Sequence, residues 1–134
     1  MNIKQNLEKD EMLIRINVEK QRINNPDKGQ IMSDILDYLR DNLGMSNLSQ
    51  THISEVFAMS VSSLNRLFKC FTGRTYIEVL NILRLSRMLA LIEEKKMKDR
   101  DIGEQIGIID PHYLSIWFKK MTGISVKEYR NSEL

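Results

Sequence analysis

Cysteine, proline and histidine are scarce in this chain: of 134 residues, one is cysteine, two are proline and two are histidine. A single thiol, Cys70, cannot build a disulfide framework, so the fold has to rest on its apolar core, and the expected compartment is the reducing cytoplasm. At a position with helical surroundings Cys70 is expected to be a small apolar filler. With only Pro26 and Pro111 to interrupt it, most of the chain is open to helix. No apolar run approaches the roughly 18 residues of a membrane span, and Met1-Asn2-Ile3-Lys4-Gln5 lacks the apolar stretch of a signal peptide, so no membrane partner is expected. Neither a glycine-rich phosphate loop, nor a Cys/His cluster, nor a close pair of acids in apolar surroundings occurs. The usual catalytic constellations are therefore missing; no enzyme activity, metal or cofactor is expected. A formal net charge of +2 is too small to name a polyanionic partner, so the placement of charge has to carry that case.

What the chain does have is a repetition. Leu64-Asn65-Arg66-Leu67-Phe68-Lys69-Cys70-Phe71-Thr72-Gly73 returns 50 residues later as Leu114-Ser115-Ile116-Trp117-Phe118-Lys119-Lys120-Met121-Thr122-Gly123. Leu, Phe, Lys, Thr and Gly keep the same internal spacing, and Glu78 and Glu128 extend the register beyond each Gly. A period of this length marks a duplicated structural unit. With 42% hydrophobic residues the chain can bury a core, and its length suits one domain made of two related modules.

The apolar periodicity is helical throughout and predicts an all-α protein. Residues 1–29 read as a tether or linker helix: Leu7, Ile14 and Val18 share a helical spacing, but the charged run Glu8-Lys9-Asp10-Glu11 and the Asn24-Asn25-Pro26-Asp27 break weaken the pattern. From Gly29 a stripe of Ile31, Ile35, Tyr38, Leu39 and Leu43 runs to Gly44, the expected C-terminal cap. Ser49 and Ser60 are expected to cap the next two helices, the second ending at Gly73. Tyr76 to Lys95 is apolar on several sides, as a buried spine would be. A basic turn, Lys95 to Arg100, leads to a short helix capped by Asp101 and ended by Gly107. Asp110 as N-cap and Pro111 at the first helical position start another, which ends at Gly123 before a last short helix. Short helix, tight turn, longer helix and Gly thus occur twice, the order of a helix-turn-helix. Ile53 to Leu64 is 11 residues and Ile102 to Leu114 is 12, so the second turn holds one more.

The longer helix of each pair presents a particular outward face. Leu64, Leu67, Phe68 and Phe71 point inward in the first, which leaves Ser62, Asn65, Arg66 and Lys69 together on an acid-free side. Asn pairs bidentately with adenine and Arg with guanine in a major groove, and a Lys one turn on suits a phosphate. In the second, Leu114, Trp117, Phe118 and Met121 point inward and His112, Ser115, Ile116 and Lys119 outward. A solvated helix face is the plain alternative for either helix alone; two like helices offering like positions weigh against it.

Phe68-Lys69-x-x-Thr72-Gly73, Arg84, Gly107 and Tyr113-Leu114-Ser115-Ile116-Trp117-Phe118-Lys119-Lys120-x-Thr122-Gly123 with Tyr129-Arg130 resemble the DNA-binding domain of AraC/XylS-type bacterial transcription regulators. The resemblance covers about residues 30–131. It implies about seven helices in two homeodomain-like helix-turn-helix subdomains: 30–74 as first unit, 75–96 as connecting helix, 97–131 as second unit. By position it assigns base reading to Ser62, Asn65, Arg66, His112, Ser115 and Ile116, and phosphate contact to Lys69, Arg74, Arg100, Lys119 and Lys120. It further implies double-stranded DNA as partner, two recognition helices in successive major-groove segments, activation as outcome with RNA polymerase as a further partner, and a monomeric DNA-binding domain. The chain departs from the family pattern in having Ser54 and Gly103 where Ala is usual, Ile108 for Phe, and Ile116 where a polar side chain is usual. Ile116 cannot donate a hydrogen bond, so looser reading by the second unit is expected. The alternative function is a helical protein–protein interaction module without specific DNA binding.

Overall fold

A computed structural model describes residues 2–95 and 97–132; Lys96, part of the expected basic turn and the end of the expected connecting unit, lies outside them. Among the described residues there are eight helices and no strand: α1 (Ile3–Asn24), α2 (Pro26–Asp41), α3 (Gln50–Val56), α4 (Val61–Thr72), α5 (Tyr76–Lys95), α6 (Asp99–Ile106), α7 (Pro111–Thr122) and α8 (Val126–Ser132). Helices α2 to α8 are the seven implied by the sequence, and α3–α4 and α6–α7 are the two helix-turn-helix pairs.

The N-terminal segment is not a tether. Helix α1 packs against α2, α4 and α5 and buries Leu7, Ile14 and Val18. Two ion pairs fix it further, Lys4 to Glu93 of α5 at 2.7 Å and Asp10 to Arg74 at 3.1 Å. Its amphipathic signal is weak because Met12, Leu13, Ile16 and Ile23, all exposed, lie on nearly the opposite side of the helix from the buried three. Two apolar stripes on opposite faces blur a single 3.6-residue period.

The first reading-unit boundaries also shift. Helix α2 begins at Pro26 because the Asn25 side chain accepts from the Lys28 amide and Pro26 fits the first turn. Gly29 is inside this helix, buried; a Cβ there would lie 2.6 Å from Arg22 Cγ, so it lets the end of α1 approach α2. The helix stops at Asp41, with Asn42 rather than Gly44 as its cap. Helix α6 starts at Asp99, so Asp101 lies in its first turn and is not its cap. Ile31 is exposed and outside the core stripe that Ile35 and Leu39 join.

The repeated residues have repeated jobs. Thr72 and Thr122 donate their hydroxyls to the carbonyls of Phe68 and Phe118, at 2.6 and 2.8 Å. The same oxygens accept from the amides of Arg74 and Ile124, at 3.1 and 3.3 Å, which ties off each helix end. Gly73 and Gly123 follow with φ of 73° and 84°, a left-handed conformation that L side chains resist. Glu78 and Glu128 close capping boxes with Thr75 and Ser125 at the start of the next helix. Thr75's backbone N–H, the chief cause, holds the Glu78 carboxyl below its ordinary pKa. Phe68 meets Tyr76 edge to face at 5.2 Å, and Phe118 meets Tyr129 at 5.9 Å.

Both turns use one geometry. The Met59 amide donates to the Ser54 carbonyl at 2.9 Å, and the Ile108 amide to the Gly103 carbonyl at 3.0 Å. Ala58 and Gly107 hold the positive φ, at 53° and 80°. The extra residue of the second turn is Ile109, which is exposed. Gly103 differs from Ser54 for a steric reason, since a Cβ there would run into the carbonyl oxygen of Ile108. Ser54 is buried, and its hydroxyl is satisfied by the Thr51 carbonyl at 2.8 Å.

Two substitutions test this core. Ile14→Ala should lower the unfolding free energy by about 2–4 kcal/mol in chemical denaturation, whereas a tether residue would change nothing. Phe118→Ala, at a fully buried edge-to-face contact, should lose about 3–5 kcal/mol; an unchanged melting midpoint would show that α7 does not seat as described.

Candidate nucleic-acid interface

Helix α4 is launched by Ser60, whose hydroxyl accepts from the Ser63 amide at 3.0 Å. Its buried side, Leu64, Leu67, Phe68 and Phe71, fixes its rotation, and Ser62, Asn65, Arg66 and Lys69 emerge exposed on the other side as expected. The Arg66 guanidinium leans toward Ser63 and donates to its hydroxyl at 3.2 Å, while Ser63 in turn accepts from the Ser60 hydroxyl at 2.9 Å. Arg66 thereby borders a groove of about 290 Å³ with Lys28, Ile31, Met59 and Cys70. Cys70 is exposed beside this face and is not the core filler that its type suggests.

Arg74 is not available as an unpaired phosphate contact. It lies just past the α4 cap and donates to Asp10 of α1, 64 residues away, at 3.1 Å. No local pattern could reveal this, because the acid arrives through the packing of α1. Arg100 is exposed in the first turn of α6, next to Asp99.

Helix α7 is launched by Asp110, whose carboxylate accepts from the His112 amide at 3.0 Å. The helix is held against α5 by Trp117, whose indole N–H donates to Asn81 at 3.2 Å. His112, Ser115, Ile116, Lys119 and Lys120 are all exposed. They line a concavity of about 520 Å³ together with Lys127 of α8. Ser115 turns its hydroxyl back to the Pro111 carbonyl at 3.1 Å, so its hydrogen is engaged within the helix. Ile116 projects outward with 52% of its surface exposed, which disposes of burial against the connecting helix. Asp99, the acid at this concavity, is neutralised by Arg130 at 2.7 Å. Arg130 also donates to the Met97 carbonyl at 2.6 Å, a structural use of this cation.

Lys127 is the member that motif transfer overlooked. Its counterpart in the first unit is Ile77, so the duplication itself hides it, although it stands in the basic stretch of the sequence. The result is two unlike faces. One carries Asn65 and Arg66 with Lys69 on the helix and Lys28 beside it; the other carries three lysines around a side chain that cannot hydrogen-bond.

These paired exposed faces on a duplicated helix-turn-helix scaffold have close likenesses. A family described as a helix-turn-helix domain matches residues 53–132. The chain belongs to this family, in its AraC-type branch of transcription regulators. It is 32% identical over 111 residues to an uncharacterised transcriptional regulatory protein, YesN, of Bacillus subtilis, covering 77% of this chain and 29% of that protein. It is 30% identical over 93 residues to the arabinose operon regulatory protein of Escherichia coli, covering 69% of this chain and 32% of the other. The chain thus spans less than a third of the length of these relatives. Among solved structures, the C-terminal domain of AraT, a response regulator from Geobacillus stearothermophilus, superposes with a TM-score of 0.72 at 26% identity, over 76% of this chain and 84% of that one. The DNA-binding domain of AdpA, solved with a target DNA, shares the fold at a TM-score of 0.68 and 19% identity, over 75% of this chain and 89% of that one. Among the described residues no helix is long and apolar enough to cross a membrane.

Proposed function

We propose that the chain is a sequence-specific double-stranded DNA-binding regulator of transcription that lays α4 and α7 into successive major-groove segments on one side of the duplex. The observation that carries this reading is the pair of equivalent, exposed, acid-free helix faces on one duplicated scaffold, each held in fixed rotation by its own buried aromatic. Residues 30–131 form the DNA-binding domain, with α1 as a buttress against its first unit. It acts as a monomer, in the cytoplasm, with the two contacted segments about one helical turn or roughly 34 Å apart. Activation, through contact with RNA polymerase, is the outcome that fits the family resemblance.

The two modules divide the work. Asn65 and Arg66 select bases through α4, and Lys69 binds phosphate. The second module, with Lys119, Lys120 and Lys127 around Ile116, docks on the backbone. Ile116 can touch a thymine methyl, and His112 adds one hydrogen bond, stronger when protonated. Its preference is therefore for A·T-rich or easily bent DNA.

Neighbouring substitutions separate these roles. Arg66→Ala should cost about 1–3 kcal/mol on a selected site and relax preference at one base pair. Lys69→Ala should weaken specific and random duplexes alike and reduce the salt slope by about one. Arg74→Ala should change the slope less, because Asp10 already neutralises that charge. Fluorescence titrations at several salt concentrations measure all three. Equal loss of specificity in Arg66→Ala and Lys69→Ala would refute the division, and duplex binding insensitive to salt would favour an interaction module instead.

Selection from a randomised duplex library gives a further check. It should return one sharp half-site and, about a turn away, one diffuse A·T-leaning half-site. A footprint confined to a single groove segment would refute two-module binding. Two equally sharp half-sites would show that His112 and Ser115 read more than the geometry grants them.

A further inference from the structure

Arg84 belongs to neither reading face. It sits midway along α5, largely enclosed, and burial holds its pKa below the ordinary arginine value. Its Nη2 donates to the carbonyl of Met45 at 3.4 Å, and its Nε is buried without a partner. Burying a guanidinium is costly unless its surroundings compensate the charge.

Three parts of the chain meet there. Met45 is in the loop between α2 and α3, in the first unit. Gly107 is in the turn between α6 and α7, in the second unit, and a Cβ on it would lie 3.2 Å from Arg84 Nη2, 2.6 Å from the Leu43 carbonyl oxygen and 2.7 Å from that of Met45. Arg84 itself is on the helix that joins the units. Gly44 makes the reciprocal approach, its Cβ position being 3.2 Å from the Glu104 carbonyl oxygen. The far end of the same loop is pinned by the Tyr76 hydroxyl, which donates to the Leu48 carbonyl at 2.9 Å. At these points the two units approach backbone to backbone, and the Arg84 side chain lies at the joint. Backbone contacts have no rotamers with which to absorb a displacement.

We propose that Arg84 is a positioning residue which, with the Leu43–Met45 loop and the Gly107 turn, sets the distance and rotational phase between α4 and α7, and so the half-site spacing the protein accepts. The proposal rests on the two-module DNA reading given above. Each base pair inserted between half-sites moves the second by about 3.4 Å and turns it by about 34°. A stiff joint cannot follow that change, and a loosened one can.

The test is a spacer profile. Affinity is measured by fluorescence anisotropy on duplexes carrying both selected half-sites, at the optimal spacing and with one base pair added or removed. The wild-type chain should lose about tenfold for either change. Arg84→Met, which keeps the apolar stem and removes the donors, should bind the optimal duplex less tightly while its penalty for a changed spacer falls below about threefold. Arg84→Lys, which can still donate to the Met45 carbonyl, should keep most of the wild-type penalty. Gly44→Ala perturbs the joint from its other side without touching Arg84, and should flatten the profile or shift its optimum; it decides the matter if Arg84→Met does not melt as a folded protein. An unchanged ratio between optimal and altered spacers in the folded variant overturns the proposal and leaves the DNA-binding function standing. Failure of the wild-type chain to engage two half-sites refutes that function instead.

Discussion

Helix α5 has to be covered on nearly every side, and helices from both units and from the N-terminal segment cover it. Its buried residues, Tyr76, Val79, Leu80, Ile82, Leu83, Leu85, Met88, Leu89, Leu91 and Ile92, leave almost no polar stripe to face water. A helix of this kind is stable only when partners pack around it, because its own propensity contributes little. Helices α1 and α4 reach it from one side and α6 from another. Trp117 and Tyr129 of the second unit also bond to it, through Asn81 and Glu93. Neither reading unit is therefore an independent small fold. Each borrows α5 as the third wall of its core, which is how units of so few residues bury enough apolar area to be stable.

Duplication fixed the scaffold more firmly than the surface. The Thr hydroxyl at each helix end, the left-handed glycine after it and the Thr/Ser-to-Glu capping box recur because each satisfies backbone groups that would otherwise be orphaned. Those requirements are the same in both copies, so the residues are too. Outward positions carry no buried contact and several differ between the copies. Asn65 corresponds to Ser115, Arg66 to Ile116 and Ile77 to Lys127, and the bonds of Arg66 to Ser63 and of Ser115 to Pro111 stay within their own helices. The contrast between the two faces is thus one that the buried core does not require.

Legibility in the sequence followed the range of the interaction. Caps at Ser49, Ser60 and Asp110, and the left-handed glycines at 73, 107 and 123, act within a few residues and could be read directly. So could the outward faces of α4 and α7, since the buried side of each helix fixes the other. The start of α6 was misplaced because Lys98 stands at its N-cap without a side-chain bond, leaving Asp101 as the more conspicuous residue. Gly44 was mistaken for a cap because its real reason is the Glu104 backbone, which sequence does not bring near it. The packing of α1 was hidden by a second apolar stripe on its outer side. Arg74 and Arg130 looked like surface cations because their acids, Asp10 and Asp99, arrive from 64 and 31 residues away.

Those two pairings bear on how a chain of net charge +2 would hold a polyanion. Arg74 and Arg130 are each matched by an acid at a partly exposed site, where an ion pair contributes little to stability, about 0–1 kcal/mol. Their larger effect is on the field. They remove two positive charges from the edge of the reading surface, whereas Lys69, Lys119, Lys120 and Lys127 make no ion pair among the described residues. The charges of those four lysines act beside α4 and α7 over a Debye length of about 10 Å. On the outward faces of α4 and α7, Asn65 and Arg66 are the two side chains able to bond a base in two places at once.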